Sequence, residues 1–286
     1  MMAVRWPGRV TFAALLLAAA ACHAASSRAG HSAAAPGVAV SLRVMTYNIA
    51  AGGGDLGKIE RTIRDADADV VGLQEVDVHW SARSSFSDQA TLLSKALGME
   101  VRFAPIYRVP SHEHATPARE FGVAVLSRFP MLAFRNHGLT RLSTQDAGAQ
   151  PSPAPGFLEA RIDVRGTPVR VFNTHLDYRA NPAVRAVQVA EMLAIIGESP
   201  VATLLLGDLN ATPDAGELRP LFVRLRDLWP PSSGPGLTYP AVAPAKRIDY
   251  LLGSPGITAT DVRVVESDAS DHRGVVADVT VRRGSR

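Results

Sequence analysis

The chain has 286 residues, 47% hydrophobic and 20% charged, which is enough to bury a sizeable core and is long, but not too long, for one catalytic-size domain. Its formal charge is +3, but two of the basic residues, Arg5 and Arg9, lie in an N-terminal segment read below as removed; 28 basic residues then face 27 acidic ones. That balance excludes a whole-protein field for polyanions and leaves only a local patch open, while the single cysteine, Cys22, excludes an intramolecular disulfide and has no partner for a catalytic or metal role.

Residues 1–21 read as an export signal. Arg5 and Arg9 flank its start, and Val10 to Ala21 is apolar except for Thr11 and too short for a comfortable membrane-spanning helix. Its end, Leu17-Ala18-Ala19-Ala20-Ala21-Cys22, is similar to a bacterial lipoprotein signal, in which the cysteine becomes the lipidated first residue. Ala19 stands where such signals usually carry Leu, and ordinary signal-peptidase cleavage nearby is the competing reading. Residues 22–40, rich in Ala, Ser and Gly, have no periodicity and read as a flexible tether.

From Ser41 onward strands and helices alternate. Leu42 to Tyr47 is a strand ending in Asn48. Leu56, Ile59 and Ile63 recur at helical spacing, and Val70 to Leu73 is a strand ending in Gln74-Glu75. Ser87-Asp88 caps a helix with Ala90, Leu93 and Leu97 on one face and Gly98 as its stop. Gly122 to Ser127 is apolar and extended, and Val169 to Phe172 ends in Asn173-Thr174-His175-Leu176-Asp177. A helix over 184–196 begins just after Pro182. Val201 to Leu206 reads as a buried strand running into Gly207-Asp208-Leu209-Asn210; period-two alternation puts Asp208 and Asn210 on one side, although an Asx-rich turn fits the same residues. Arg247 to Leu252 carries Asp249 within an apolar strand, and Ser270-Asp271-His272 leads into a strand from Val275. Ser143 to Gly156 and Pro230 to Ala245 read as long loops. Six strand ends bearing polar residues suggest one polar site on a sheet scaffold.

Met45-Thr46-Tyr47-Asn48, Leu73-Gln74-Glu75-Val76-Asp77, Asn173-Thr174-His175-Leu176, Gly207-Asp208-Leu209-Asn210, Arg247-Ile248-Asp249-Tyr250 and Ser270-Asp271-His272 resemble, in order, the motifs of the endonuclease/exonuclease/phosphatase superfamily, the deoxyribonuclease-I-like proteins. The likeness extends to Arg119 to Arg128, with Val123 where many relatives carry Asn. It implies an α+β fold, a four-layer α/β/β/α sandwich of two packed mixed β-sheets flanked by helices, over residues 41–283, with the site at one end.

The resemblance also implies roles. Phosphate ester cleavage puts extra negative charge on the equatorial oxygens, and a hard cation with oxygen ligands stabilises it. Glu75 is the expected Mg²⁺ ligand, with Asn48 beside it and Asp271 as a third; Mn²⁺ can substitute. His272 is the expected base, Asp249 its orienting partner and Asp208 a second acidic partner, although relatives differ in which residue is the base. His175 is expected to donate to a phosphoryl oxygen or the leaving group, Asn210 to hold the phosphate, and Arg119 to contact it. Asp177 and Tyr178 resemble relatives that act on lipid or sugar phosphodiesters. His112-Glu113-His114 lacks zinc-protease spacing and reads as a solvated loop, and His79-Trp80 reads as packing.

Three functions fit: an exported, membrane-anchored, Mg²⁺-dependent phosphoesterase acting on a small or lipid-linked ester, a nuclease of the same fold, or a binding module without catalysis. The full set of polar residues argues against the last. An aromatic content of 6% and the near-zero mature charge argue modestly against nucleic acid. A monomer is expected.

Overall fold

The protein is described here by a computed structural model covering residues 39–53, 55–110 and 117–282. Cys22, the 1–21 signal, most of the 22–40 tether and His112-Glu113-His114 lie outside the described residues.

Two six-stranded sheets form the body. In chain order the elements are β1 (Val40–Asn48), α1 (Leu56–Ala66), β2 (Val70–Val78), α2 (Gln89–Leu97), β3 (Glu100–Val109), β4 (Arg119–Ser127), β5 (Met131–Arg141), β6 (Ser152–Val164), β7 (Thr167–His175), α3 (Ala183–Ile196), β8 (Ala202–Asp208), α4 (Arg219–Arg224), β9 (Arg226–Asp227), β10 (Asp249–Gly253), β11 (Ile257–Val265) and β12 (Gly274–Val281). The first sheet runs β11-β12-β1-β2-β4-β3 and the second β5-β6-β7-β8-β10-β9. Both are mixed: β1 and β2 are parallel, as are β7 and β8, while the other pairs are antiparallel.

Alternation of side chains separates the core into three layers. Val44, Val70, Val125, Val171, Leu204 and Leu206 fill the space between the sheets. On the outer face of the first sheet Met45, Val71 and Leu73 meet Ile59 and Ile63 of α1 and Leu93 of α2. On the outer face of the second, Phe172, Leu205 and Tyr250 meet Val189 and Met192 of α3 and Leu221 of α4. Strands covered on both faces explain why Val70 to Leu73 and Leu204 to Leu206 read as continuous apolar runs. Asp55 and Asp88 cap α1 and α2 by accepting from the amides of Lys58 and Thr91, each cap contributing about 1 kcal/mol, and α2 stops at Gly98 in the left-handed region.

Two expectations need correction. The long loop over 143–156 is shorter, because β6 starts at Ser152. Its first residues pair only with β5; pairing with β7 begins at Leu158, so Pro153 and Pro155 sit where one side of the strand needs no amide donor. The strand placed over 247–252 begins instead at Asp249. The fold also contains β3 and β5, which periodicity did not mark.

Candidate active site

The site forms where the parallel pairs end. In the second sheet Asp208, the last residue of β8, lies opposite His175 of β7 on one side and Asp249 of β10 on the other. In the first sheet Asn48 ends β1 opposite Gln74. The turn 270–272 leads into β12 at the same end. Six segments distant in sequence thus deliver their polar residues to one place, and Ser270 secures the turn there: its hydroxyl donates to the Asn48 carbonyl (2.8 Å) and accepts from the His272 amide (3.2 Å).

Asp208 is the centre of the cluster. Its Oδ2 lies 3.6 Å from His175 Nε2 and 3.7 Å from His272 Nε2, and accepts a hydrogen bond from Asn48 Nδ2 at 3.1 Å. Its Oδ1 accepts from the Asn210 amide at 2.8 Å. Asp249 Oδ2 lies 3.0 Å from His272 Nδ1, which fixes Nδ1 as the protonated nitrogen and turns Nε2 toward the site. The ring of Tyr239 packs on His272 with centroids 4.7 Å apart. Asn210, at φ 51° in the left-handed region that Asn tolerates, donates from Nδ2 to the Leu176 carbonyl, and so ties the end of β8 to the end of β7.

Glu75 reaches the site through a bulge. Between Leu73 and Val76 the β2–β4 register slips, and Glu75 adopts φ 56°. Gln74 is thereby left facing the inter-sheet core while Glu75 turns to accept from Asn48 Nδ2 at 3.1 Å. A left-handed Glu costs on the order of 1 kcal/mol, which the surrounding pairing sustains.

Burial and crowding of like charges set the protonation states. Burial, helped by the charge of Asp249, pushes the Asp208 carboxyl up to about 6. Glu75 is raised by burial, against its bond from Asn48 and with the charge of Asp271. His272 goes the other way from its burial: desolvation opposes the imidazolium, but the charge and hydrogen bond of Asp249, with Asp208 and Asp271, raise it to about 9. His175 is lowered by burial, assisted by Arg141 and opposed by Asp208, and so favours the neutral ring.

Carboxylates thus outnumber cations: Glu75, Asp208, Asp249 and Asp271 face one favoured imidazolium. Asp249 Oδ1 is buried with no hydrogen-bond donor. That donor set suits a hard divalent cation. Asp208, Asp249 and His272 are close enough together to hold one, yet His272 Nδ1 is already committed to Asp249, so Glu75 with Asn48 is the better-placed oxygen pair. Asn48 would have to turn its amide over to offer Oδ1, which now accepts from the Ala50 amide. Asp271 is exposed at the rim.

Arg119 begins β4 beyond the Val78–Glu120 rung, farther out than Glu75. Trp80 packs against Phe121 (5.8 Å) and Tyr107 (6.4 Å), and Val123 is a core residue between the sheets. Sequence reasoning missed Tyr239 and Arg141. Neither lies in an expected motif, and only folding brings them to the histidines.

A model of the Endonuclease/Exonuclease/phosphatase family matches residues 45–272. Among solved structures, an endonuclease/exonuclease/phosphatase from Beutenbergia cavernae is 24% identical, with a TM-score of 0.65 over 85% of this chain and 72% of that one. A mannosyl-6-phosphatase from Bacteroides thetaiotaomicron gives 16% and 0.62 over 83% and 99%, and the catalytic domain of human Nocturnin 21% and 0.60 over 85% and 97%. At these identities the likeness is one of fold. Protein cwh43 of Schizosaccharomyces pombe is 29% identical over 154 residues, which are 52% of this chain and only 14% of that protein.

Proposed function

Because the chain belongs to the endonuclease/exonuclease/phosphatase family, whose members are hydrolases of phosphate esters, we propose that it is an exported, Mg²⁺-dependent phosphoesterase cleaving a small or lipid-linked phosphodiester or phosphomonoester. The observation that carries this reading is the Asp208 carboxylate set between the Nε2 atoms of two histidines, one of them backed by Asp249.

Glu75 and Asn48, with Asp271 at the rim, would hold Mg²⁺ or Mn²⁺, which supplies positive charge to the phosphoryl oxygens. The chain's own groups divide the remaining work. With Nδ1–H held by Asp249, His272 in its neutral form accepts a proton from water at Nε2, and Asp208 aligns that water. His175 offers Nε2 to a phosphoryl oxygen or the leaving group, and the Asn210 amide contacts phosphate. Each is an electrostatic or proton-transfer contribution of a few powers of ten, roughly 10²- to 10⁴-fold for acid–base help.

A relative of the same fold named as a mannosyl-6-phosphatase indicates that the architecture accommodates small esters. Among the described residues no helix is long and apolar enough to cross a membrane. Membrane attachment is proposed through Cys22, on the strength of the lipoprotein-like sequence before it.

Purified protein offered bis(4-nitrophenyl) phosphate, phosphorylated sugars, phospholipid and sphingomyelin vesicles and plasmid DNA, with Mg²⁺ and with chelator, tests the proposal. Metal-dependent turnover of a small or lipid ester is expected. Cleavage of plasmid alone would favour the nuclease, and no turnover of any substrate would overturn the reading.

A further inference from the structure

Arg141, at the end of β5, belongs to no motif. It is 7% exposed, and its guanidinium donates to the carbonyls of Pro155 (2.9 Å), Gly156 (3.0 Å) and His175 (2.9 Å). These bonds occupy three of its five N–H groups. The carboxylates that act on it are bonded elsewhere: Asp177 pairs with Arg179, and Glu191 accepts from the Thr140 amide and hydroxyl. Carbonyl dipoles solvate the charge but do not cancel it, and burial pulls the guanidinium down to about 10. No carboxylate is bonded to the guanidinium, although the charges of Asp177 and Glu191 act on it across space, and a buried cation without a directly paired anion is costly. The fold nonetheless makes room for it. Gly156 has φ 112°, and a Cβ there would lie 2.2 Å from Ile106 Cγ1 and 3.1 Å from Arg141 Nη2.

Arg141 lines a cavity of about 180 Å³ together with Glu75, His175, Tyr107 and Phe121. That is room for about six waters, the scale of a single compact ring. The rings of Tyr107 and Phe121 stack 6.2 Å apart at 20°. The Tyr107 hydroxyl accepts from the Thr144 amide (3.0 Å) and hydroxyl (3.2 Å), which leaves its own hydrogen to donate.

We propose that this cavity is a second-anion subsite: it receives the alcohol portion of a compact phosphate ester that bears a further phosphate or carboxylate, neutralised by Arg141 and bonded by the Tyr107 hydroxyl, while the scissile phosphate faces His175. The assignment rests on the phosphoesterase reading above. A neutral alcohol would leave the guanidinium with carbonyl partners alone and no bonded anion. Arg179, although it lines the same cavity, already has Asp177.

The test compares kcat/KM within matched pairs, using full-length protein and Mg²⁺: fructose 1,6-bisphosphate against fructose 6-phosphate for a second phosphate, and 3-phosphoglycerate against glycerol 3-phosphate for a carboxylate. Bis(4-nitrophenyl) phosphate reports whether the protein is a phosphoesterase at all. At least one pair is expected to favour the doubly anionic member about tenfold or more, as a hydrogen bond to a charged group warrants. Arg141→Gln should bring that ratio close to one. Tyr107→Phe, which keeps the ring and all three bonds of Arg141, should lower it several-fold through KM, and carries the test if the first variant does not fold. Turnover of bis(4-nitrophenyl) phosphate without preference in either pair, or a preference untouched in both variants, overturns the subsite and spares the enzyme; no turnover of any ester overturns both.

Discussion

Gln74 of β2 and Asn173 of β7 clasp the two sheets together: Gln74 Nε2 donates to Asn173 Oδ1 at 2.7 Å across the buried interface. Asn173 also donates from Nδ2 to the carbonyls of Leu73 and Ala124, both 2.8 Å away, so one amide satisfies three groups of the opposite sheet. Asn173→Ala strips all three in a dry core and is expected to destabilise the fold by roughly 3 kcal/mol. Denaturant unfolding with an unchanged midpoint would refute the clasp.

The His272–Asp249 pair should act as a unit. Asp249→Asn keeps the shape but removes the charge that favours the imidazolium, and His272→Ala removes the ring; each should cost roughly 10²- to 10⁴-fold in kcat. The double variant should be hardly worse than His272→Ala alone, because Asp249 acts through the ring. Losses that multiply would mean that the two residues work separately.

Stability should fall as pH rises from 6.5 to about 9. Asp208 holds its proton more tightly folded than unfolded, so its contribution, complete below about 3.8, is lost as pH climbs to about 6. His272 likewise contributes fully below about 6.5 and loses that contribution as pH climbs to about 9. His175, lowered by burial, works against Asp208 in the lower window, so it is from pH 6.5 to 9 that the metal-free melting temperature should decline, and His272→Gln should flatten that decline. A metal-free melting temperature that rises from pH 6.5 to 9 would sink this assignment.

Glu75 trades stability for function. Glu75→Gly relieves the left-handed backbone and removes a buried carboxylate, and should raise metal-free stability by about 1 kcal/mol while abolishing Mg²⁺-dependent turnover. Glu75→Gln, which keeps the size and loses the charge, should weaken Mg²⁺ binding and rate together. Calorimetric titration of Mg²⁺ identical to wild type would place the ion elsewhere.

Cys22→Ser should move the protein out of the membrane fraction or leave it unprocessed, because an acyl anchor contributes about 0.8 kcal/mol per buried methylene and no other anchor is proposed. Turnover of a small activated ester should be unchanged. Wild-type protein found wholly in the soluble fraction, with its mature N-terminus beyond Cys22, would remove the anchor.

Much of the architecture was legible because it rests on local signals. The helical spacing of Leu56, Ile59 and Ile63 announces α1, the cap at Asp88 announces α2, and strands covered on both faces stand out as apolar runs. β3 and β5 escaped because neither buries a full face: β3 buries only Ala104 and Ile106, and β5 leaves Leu132 and Phe134 exposed, so its apolar residues do not mark a face. The polar strand ends around Asp208 could be gathered because each closes a recognisable motif. Arg141 could not, since its three carbonyl partners lie on β6 and β7 and no neighbour in sequence records them.

The two halves of the proposed reaction centre belong to different sheets. Asn48 and Glu75 ride on the first and Asp208 on the second, and the Asn48–Asp208 bond of 3.1 Å crosses the seam. Turnover is therefore a vernier for the alignment of the sandwich. A slip of one ångström between the sheets, far too small to alter secondary structure or overall size, would stretch that bond past hydrogen-bonding range and separate the metal-side residues from the histidines. On gentle heating, activity should fade before circular dichroism changes, as the seam loosens ahead of the strands.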